Sequence, residues 1–301
     1  METVSMPARI GGFNVVRRIA RGGYGTVYHA RGPGGDVAVK LYERTRDPDV
    51  VEDSRTTNGS ELKRLRLARE QARAQMSLRH PNVVKMLGYG RTAEGFVVLM
   101  DLVRGWSLRE ILSDGRGVPP RLAIAWFLQI ISALDHAHAR GIVHGDLKPA
   151  NVLVCRDLAR VQVTDFGGAA GVRSPEVDDP RLPCTRSYAA PEVIAGERPD
   201  ARSDVYSAGL VLAEMLGQKV WDSGRRIRMV LLKCLAARPE ARPQTARQIL
   251  RVLTKRGLRK TRAKPRPRPA RSSEGTSLAW LGPMLAVMTW VLLVLVLMTP
   301  R

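Results

Sequence analysis

Cysteine is scarce in this chain. The three present, Cys155, Cys184 and Cys234, lie far apart and none forms a CxxC pair. That spacing argues against a zinc site and against a disulfide framework, and suits a reducing compartment. Acidic residues are short as well: 28 Asp and Glu stand against 49 Lys and Arg, a net charge of +21. Such an excess points to nucleic acid, to an anionic membrane surface, or simply to an arginine-rich composition. The opening residues METVSMPARIGGFNVV lack the long apolar run of a signal peptide. No internal repeat is visible.

What is present is ordinary in bulk. An apolar content of 44% with 26% charged residues argues against wholesale disorder. With 301 residues the chain can build one large domain or two small ones around a real core.

One apolar run stands out. Leu278 to Met298 is 21 residues without a charge. As a helix it would be about 31 Å long, against a hydrocarbon core of roughly 30 Å. A buried core helix is the blander alternative, but core helices are rarely so uniformly apolar. Pro283 falls in the first turns, where it disturbs little. The run is expected to be a C-terminal membrane anchor with essentially nothing beyond it but Thr299, Pro300 and Arg301. Trp280 and Trp290 would face lipid or the interface. Gly282 and Ala286 have the small-xxx-small spacing that lets two spans pair, so a homodimer is one expected arrangement.

Before the anchor, residues 255 to 271 read KRGLRKTRAKPRPRPAR, with no acid at all. Prolines keep such a segment extended and like charges keep it open, so residues 255–277 read as a linker. Basic flanks stay cytoplasmic and gain roughly 1 kcal/mol per Lys or Arg near anionic lipid. The tract lacks aromatics for base stacking, so nucleic acid is not an expected partner.

The rest divides in two. After a short tail (1–9), residues 10 to 42 read as strands with glycine turns, 43 to 60 as a loop and 61 to 78 as a helix. Strand-like runs follow to about 100. From about 107 to 254 helical spacing dominates. A β-rich front and a helix-rich back imply an α+β fold of two lobes joined near 101 to 106.

Within the back lobe, residues 142 to 154 read IVHGDLKPANVLV: His, Asp, Lys and Asn crowd between apolar stretches. A polar cluster so framed suggests a site on a rigid scaffold. VQVTDFGGAA follows, placing Asp165 before a glycine turn. Upstream, Lys40 ends an apolar strand, and RGGYGTV is a glycine-rich turn whose amides can approach phosphates. Each signal alone is weak, since a glycine-rich turn is usually a hairpin and a strand-end lysine usually a solvated charge. Their order and spacing together are specific.

Across residues 10 to 254 the chain resembles the eukaryotic-type (Hanks-type) serine/threonine protein kinases, and a bacterial, membrane-anchored member in particular. The resemblance rests on Ala20, Gly22, Gly25 and Val27 in the glycine loop, on Lys40 in VAVK, and on MDLV, HGDLKPAN, Asp165-Phe166-Gly167 and Ala190-Pro191-Glu192. It implies a bilobal kinase fold and transfer of the γ-phosphoryl group of ATP to protein Ser or Thr hydroxyls, with magnesium, or manganese in its place.

The same resemblance implies the roles. Lys40 would hold the α and β phosphates. Asn151 and Asp165 would hold the metal. Asp146 would accept or orient the substrate hydroxyl, and Lys148 would steady the transferred group. Ala20, Gly22, Gly25, Val27, Ala38, Met100, Asp101 and Val103 would line the nucleotide. Asp204 would steady the catalytic loop, Arg242 would pair with Glu192, and Thr185 would contact the catalytic Asp and Lys.

Four departures stand out. Ala20 replaces the first loop glycine. Family spacing counted from His80-Pro81 points at Gln71 as the helix partner of Lys40, while Glu70 lies one residue earlier; Glu70 is expected to take that place through a one-residue insertion. Residues 217 to 233 are too few for the usual helix and loop, so the back lobe is trimmed there. Gly145 stands where the family has an arginine that binds an activation-segment phosphate, so phosphorylation of Ser174 or Ser187 is not expected to be the switch. The offset glutamate and the trimmed back lobe keep a second reading open, a membrane-anchored pseudokinase acting as a binding or scaffold module. His136 and His138 are expected to be structural, and Cys184 an inert thiol.

Overall fold

In the computed structural model of the chain, residues 6–22, 25–43, 57–115, 117–167 and 187–254 are described, without the side chains of 43, 57–64 and 67. The linker, the apolar run 278–298, Ser174, Cys184 and Thr185 lie outside them. Among the described residues no helix is long and apolar enough to cross a membrane.

The front lobe is a six-stranded antiparallel sheet. Its strands are β1 (Arg9–Ile10), β2 (Phe13–Gly22), β3 (Gly25–Gly32), β4 (Gly35–Glu43), β5 (Met86–Arg91) and β6 (Gly95–Asp101), in the order β1-β2-β3-β4-β6-β5. The period of two sorts β4 between two layers. Val37, Val39 and Leu41 join Ile10, Tyr28, Ala30 and Val97 on one face. Ala38 joins Phe96, Val98 and Met100 on the other. Lys40 shares the parity of Ala38 and so points to that second side.

Helix α1 (Thr57–Met76) covers the second face. It starts four residues earlier than the helical composition alone predicts. Ala68, Ala72 and Gln75 are buried at helical spacing, while Arg66, Arg69, Glu70 and Arg73 are exposed. Small alanines let the helix approach the sheet closely.

The back lobe holds α2 (Leu108–Leu112), α3 (Pro120–His138), α4 (Pro191–Ile194), α5 (Ala201–Leu216), α6 (Arg225–Cys234) and α7 (Ala246–Thr254). A small sheet of β7 (Gly105–Ser107), β8 (Val152–Cys155) and β9 (Val161–Val163) lies among them. Ser107 and Glu110 close a capping box on α2. Asp200 and Ser203 do the same for α5, a helix buried on nearly every side. On α3, Trp126, Phe127, Ile130, Ile131 and Leu134 face the core. Between α5 and Cys234 there is one 3-10 turn, Gly217–Ser223, and α6.

Leu102 to Arg104 connect β6 to β7. A second junction ties the lobes together: Val83 pairs with Val163 in parallel. There the Val84 N–H donates to the Val163 carbonyl at 2.9 Å, and the Val163 N–H to the Asn82 carbonyl at 2.8 Å.

Candidate active site

The β2–β3 hairpin narrows to Gly22 opposite Gly25. Gly25 has φ +149°, and a Cβ there would sit 2.4 Å from the Leu41 carbonyl oxygen, so the turn admits glycine alone. Ala20 pairs with Val27 just after a register shift between Arg18 and Ala20, and it is exposed there, so its methyl group is accommodated. Val27 packs on the apolar cluster that contains Ala38 and Met100, joined by Leu102, Val103 and, from β8 in the other lobe, Leu153. Ala38 lies opposite Met100. These side chains make an apolar layer where the lobes meet, of the kind a planar base can enter. Asp101 is exposed at the end of β6, its N–H bonded to the Lys85 carbonyl at 2.9 Å.

Lys40 reaches across the lobes. Its Nζ lies 2.9 Å from Asp165 Oδ2 and 5.4 Å from the centre of the Tyr42 ring. Burial opposes the Lys40 charge, but Asp165 and Tyr42 outweigh it and hold the ammonium above its ordinary value. Asp165 is pulled the other way: desolvation raises its carboxyl, and Lys40 lowers it further, below the usual range. Asp165 has φ +63°, a left-handed conformation uncommon outside glycine that aspartate adopts more readily than most residues.

Glu70 is a correction. Its carboxylate lies on the outer face of α1, 3.2 Å from Arg66, four residues earlier. No insertion shifts it inward. Gln71 takes the inner position: its Cα would lie 3.2 Å from a Cβ on Gly167. Lys40 therefore pairs ionically with Asp165, while the helix carboxylate Glu70 pairs with Arg66.

The loop of residues 144–151 is held from behind by a buried carboxylate. Asp204, in the first turn of α5, accepts from the His144 N–H at 2.8 Å, the Gly145 N–H at 2.9 Å and His138 Nε2 at 2.8 Å. His138 therefore supports the loop. His144 is fully buried. Its Nδ1 accepts from the Asp146 N–H at 3.2 Å, which leaves Nε2 to donate to the Thr164 carbonyl at 3.0 Å. The ring also rests 4.8 Å from that of Phe166. Gly145 has φ +77°, so glycine supplies freely the backbone shape that Asp204 anchors.

In front of this support, Lys148 Nζ lies 2.7 Å from Asp146 Oδ2. Asn151 donates through Nδ2 to the Asp146 carbonyl at 2.8 Å, and its own carbonyl accepts the Thr164 N–H at 3.0 Å. Asn151 thus touches both the Asp146 loop and the strand leading to Asp165. With Nδ2 committed, the Asn151 Oδ1 remains as an oxygen to offer a ligand. Together with the Asp165 carboxylate it forms a hard-oxygen donor set that suits magnesium.

Farther out, Arg242 grips Glu192 with two bonds, 2.6 and 2.7 Å, and also donates to three backbone carbonyls. Its guanidinium lies 4.8 Å from the centre of the Tyr206 ring, whose hydroxyl burial pushes up to about 12. Cys155 and Cys234 are free, buried thiols, and burial lifts that of Cys234 to about 12. Two contributors were not singled out from the sequence. Leu153 carried no signal beyond an apolar strand. Gln75 did carry one, a polar residue on the inner face of α1.

A strand sheet with one helix, a helical lobe behind it, and two lysine–aspartate pairs at their junction define the bilobal kinase architecture. The chain belongs to the protein kinase domain family, whose model matches residues 13–255. It is similar to a probable serine/threonine-protein kinase of Streptomyces coelicolor, with 35% identity over 70% of this chain and 31% of that protein. It is also similar to the serine/threonine-protein kinase PrkC of Bacillus subtilis, 29% identical over 75% of this chain and 34% of the relative. The serine/threonine-protein kinase PkaA of Streptomyces coelicolor is 32% identical over 84% of this chain and 46% of its own length. The chain thus spans about a third to just under half of these relatives.

Proposed function

We propose that this chain is an ATP-dependent serine/threonine protein kinase that transfers the γ-phosphoryl group to Ser or Thr hydroxyls of proteins. The observation that carries the reading is the pair of lysine–aspartate contacts, Lys40–Asp165 and Lys148–Asp146, with Asn151 bonded into both segments. Phosphoryl transfer needs little covalent chemistry from the protein and much positioning and charge neutralisation. Lys40 supplies a buried positive charge for the phosphates. Val27, Ala38, Met100, Val103 and Leu153 take the base. Asp165 and Asn151 would hold magnesium, which when bound neutralises phosphate charge. Asp146 accepts the proton of the attacking hydroxyl as its oxygen bonds to phosphorus and the bridging oxygen leaves with the diphosphate. Lys148 balances charge on the transferred group.

The same reading places residues 278–298 in a membrane as a single span, with 255–271 against anionic lipid and the kinase domain on the cytoplasmic side. The apolar length and the basic flank support it. Protease protection in sealed vesicles tests it: a kinase domain shielded when its cytoplasmic face is outward overturns the topology.

The second reading, a membrane-anchored binding module without catalysis, is favoured by one observation, the outward turn of Glu70. The full-length chain in detergent, given ATP, magnesium and a basic protein substrate, decides between them. Asp146→Asn is expected to lower transfer by about 10²–10⁴-fold. Wild-type transfer no faster than that variant's rules out the enzyme.

A further inference from the structure

Gln75 is polar where the spacing of α1 calls for an apolar residue. Ala68, Ala72 and Gln75 form the buried stripe, and Gln75 is only 2% exposed. A buried amide must place both its donor and its acceptor. Gln75 does so across the second junction between the lobes. Its Nε2 donates to the Val84 carbonyl at 3.1 Å, and its Oε1 accepts from the Phe166 N–H at 3.2 Å. Immediately before this, the Val84 N–H already bonds the Val163 carbonyl. The Gln75 side chain therefore continues the Val83–Val163 bridge as an inserted peptide-like unit, carrying it past Thr164 to Phe166.

The bonded group sits beside a residue in an uncommon left-handed conformation. The Phe166 N–H belongs to the peptide plane that follows Asp165, and the orientation of that plane is set by the Asp165 backbone angles. Asp165 has φ +63°. Releasing the Phe166 N–H would let Asp165 relax toward ordinary φ, and its carboxylate would swing from Lys40 and the donor position beside Asn151. His144 holds the same segment through the Thr164 carbonyl, but no bond from His144 reaches the peptide after Asp165.

We infer that Gln75 is a positioning residue that locks the Asp165 carboxylate in its metal- and lysine-facing orientation by fixing the Phe166 amide, so that the placement of α1 sets metal affinity. This rests on the kinase reading for its catalytic consequence and on geometry alone for its effect on the metal.

The test compares the full-length wild-type chain with Gln75→Met, which keeps length and volume but makes neither bond. Three quantities are read: hydrogen exchange of the Phe166 amide without metal, the magnesium concentration that half-saturates ATP binding, and kcat separately from the KM for a protein substrate. In the variant the amide is expected to exchange about tenfold faster, the magnesium requirement to rise about tenfold, and kcat to fall about tenfold at unchanged KM. A purely structural role would lower the melting temperature and the active fraction alone. An unchanged magnesium requirement per folded molecule overturns the inference. Should the variant fail to fold, the wild type decides: a Phe166 amide that exchanges like an unprotected one overturns it, and a protected one supports it. If the wild type transfers no phosphate yet its magnesium-dependent ATP binding still responds to Gln75→Met, the kinase reading fails and the positioning role stands.

Discussion

Asp146 and Asp165 each bind a lysine, but what lies behind them differs. Behind Asp146 is a closed set of partners within one lobe: Asp204 takes three donors, His144 uses both ring nitrogens, and Asn151 ties the loop to the strand beyond it. Behind Asp165 the support crosses between lobes. It consists of Lys40 from β4 and the neutral Gln75 amide from α1, with Gln71 where the family spacing calls for a glutamate. The first half is preorganised by a buried charge that the fold cannot release cheaply. The second is only as well placed as α1 is. Regulation by moving one element can act on the second half and leave the first intact.

The sharpest way to break this contrast is to remove the charge behind Asp146. Asp204→Ala strands the His144 and Gly145 amides and His138 in the interior, each worth about 1–3 kcal/mol. The expected result is a melting temperature lower by roughly 10 °C, together with loss of transfer. Thermal unfolding within 2 °C of wild type would show that the loop stands without its carboxylate.

A smaller effect sharpens the contrast from the other side. Gln71→Glu would put a carboxylate on the inner side of α1 and offer Lys40 a charge-assisted contact from the helix. Initial rates of transfer should rise by about two- to tenfold. No rise would mean that residue 71 does not reach Lys40, and that Asp165 alone sets the lysine.

The mildest test lies outside both halves. The rings of His80 and His136 are 5.0 Å apart. Burial lowers His80 first, then His136 and Arg140. Burial lowers His136 as well, then Arg140, against an opposite pull from Asp135. The unfolded chain takes up these protons near pH 6.5, above the folded values. Stability is therefore complete above about pH 6.5 and is lost as the pH falls through the lower folded values. Melting temperatures should drop by a few degrees between pH 7.5 and pH 5, with a shallower slope in His136→Asn. An identical slope in that variant would remove the pair from the account.

Much of this molecule is legible in its sequence. The two lobes follow from where period two gives way to helical spacing. The close packing of Asp146, Lys148 and Asn151 follows from their separation by a few residues around a proline, where the local backbone holds them together. Gly145 was legible as a departure, but its reading changes: besides lacking a guanidinium, it adopts a left-handed backbone that Asp204 fixes. Spacing counted from His80-Pro81 points at Gln71, and Glu70 could take its place only through an inserted residue. The helix continues unbroken, and one residue of offset turns a side chain by about 100°, which carries Glu70 to solvent and Gln71 to the cleft.

The sequence by itself determined the family, the two-lobe architecture and the residues that crowd the loop of 144–151, because each is written in local periodicity or short-range spacing. Only the tertiary structure decided which face of α1 meets Phe166 and Gly167, that a glutamine amide carries the bridge from Val84 to Phe166, and that Asp204 takes its three donors from two separate segments. Those choices rest on hydrogen bonds between positions far apart in the chain. Burial makes such bonds obligatory, and no local pattern announces which partner will satisfy them.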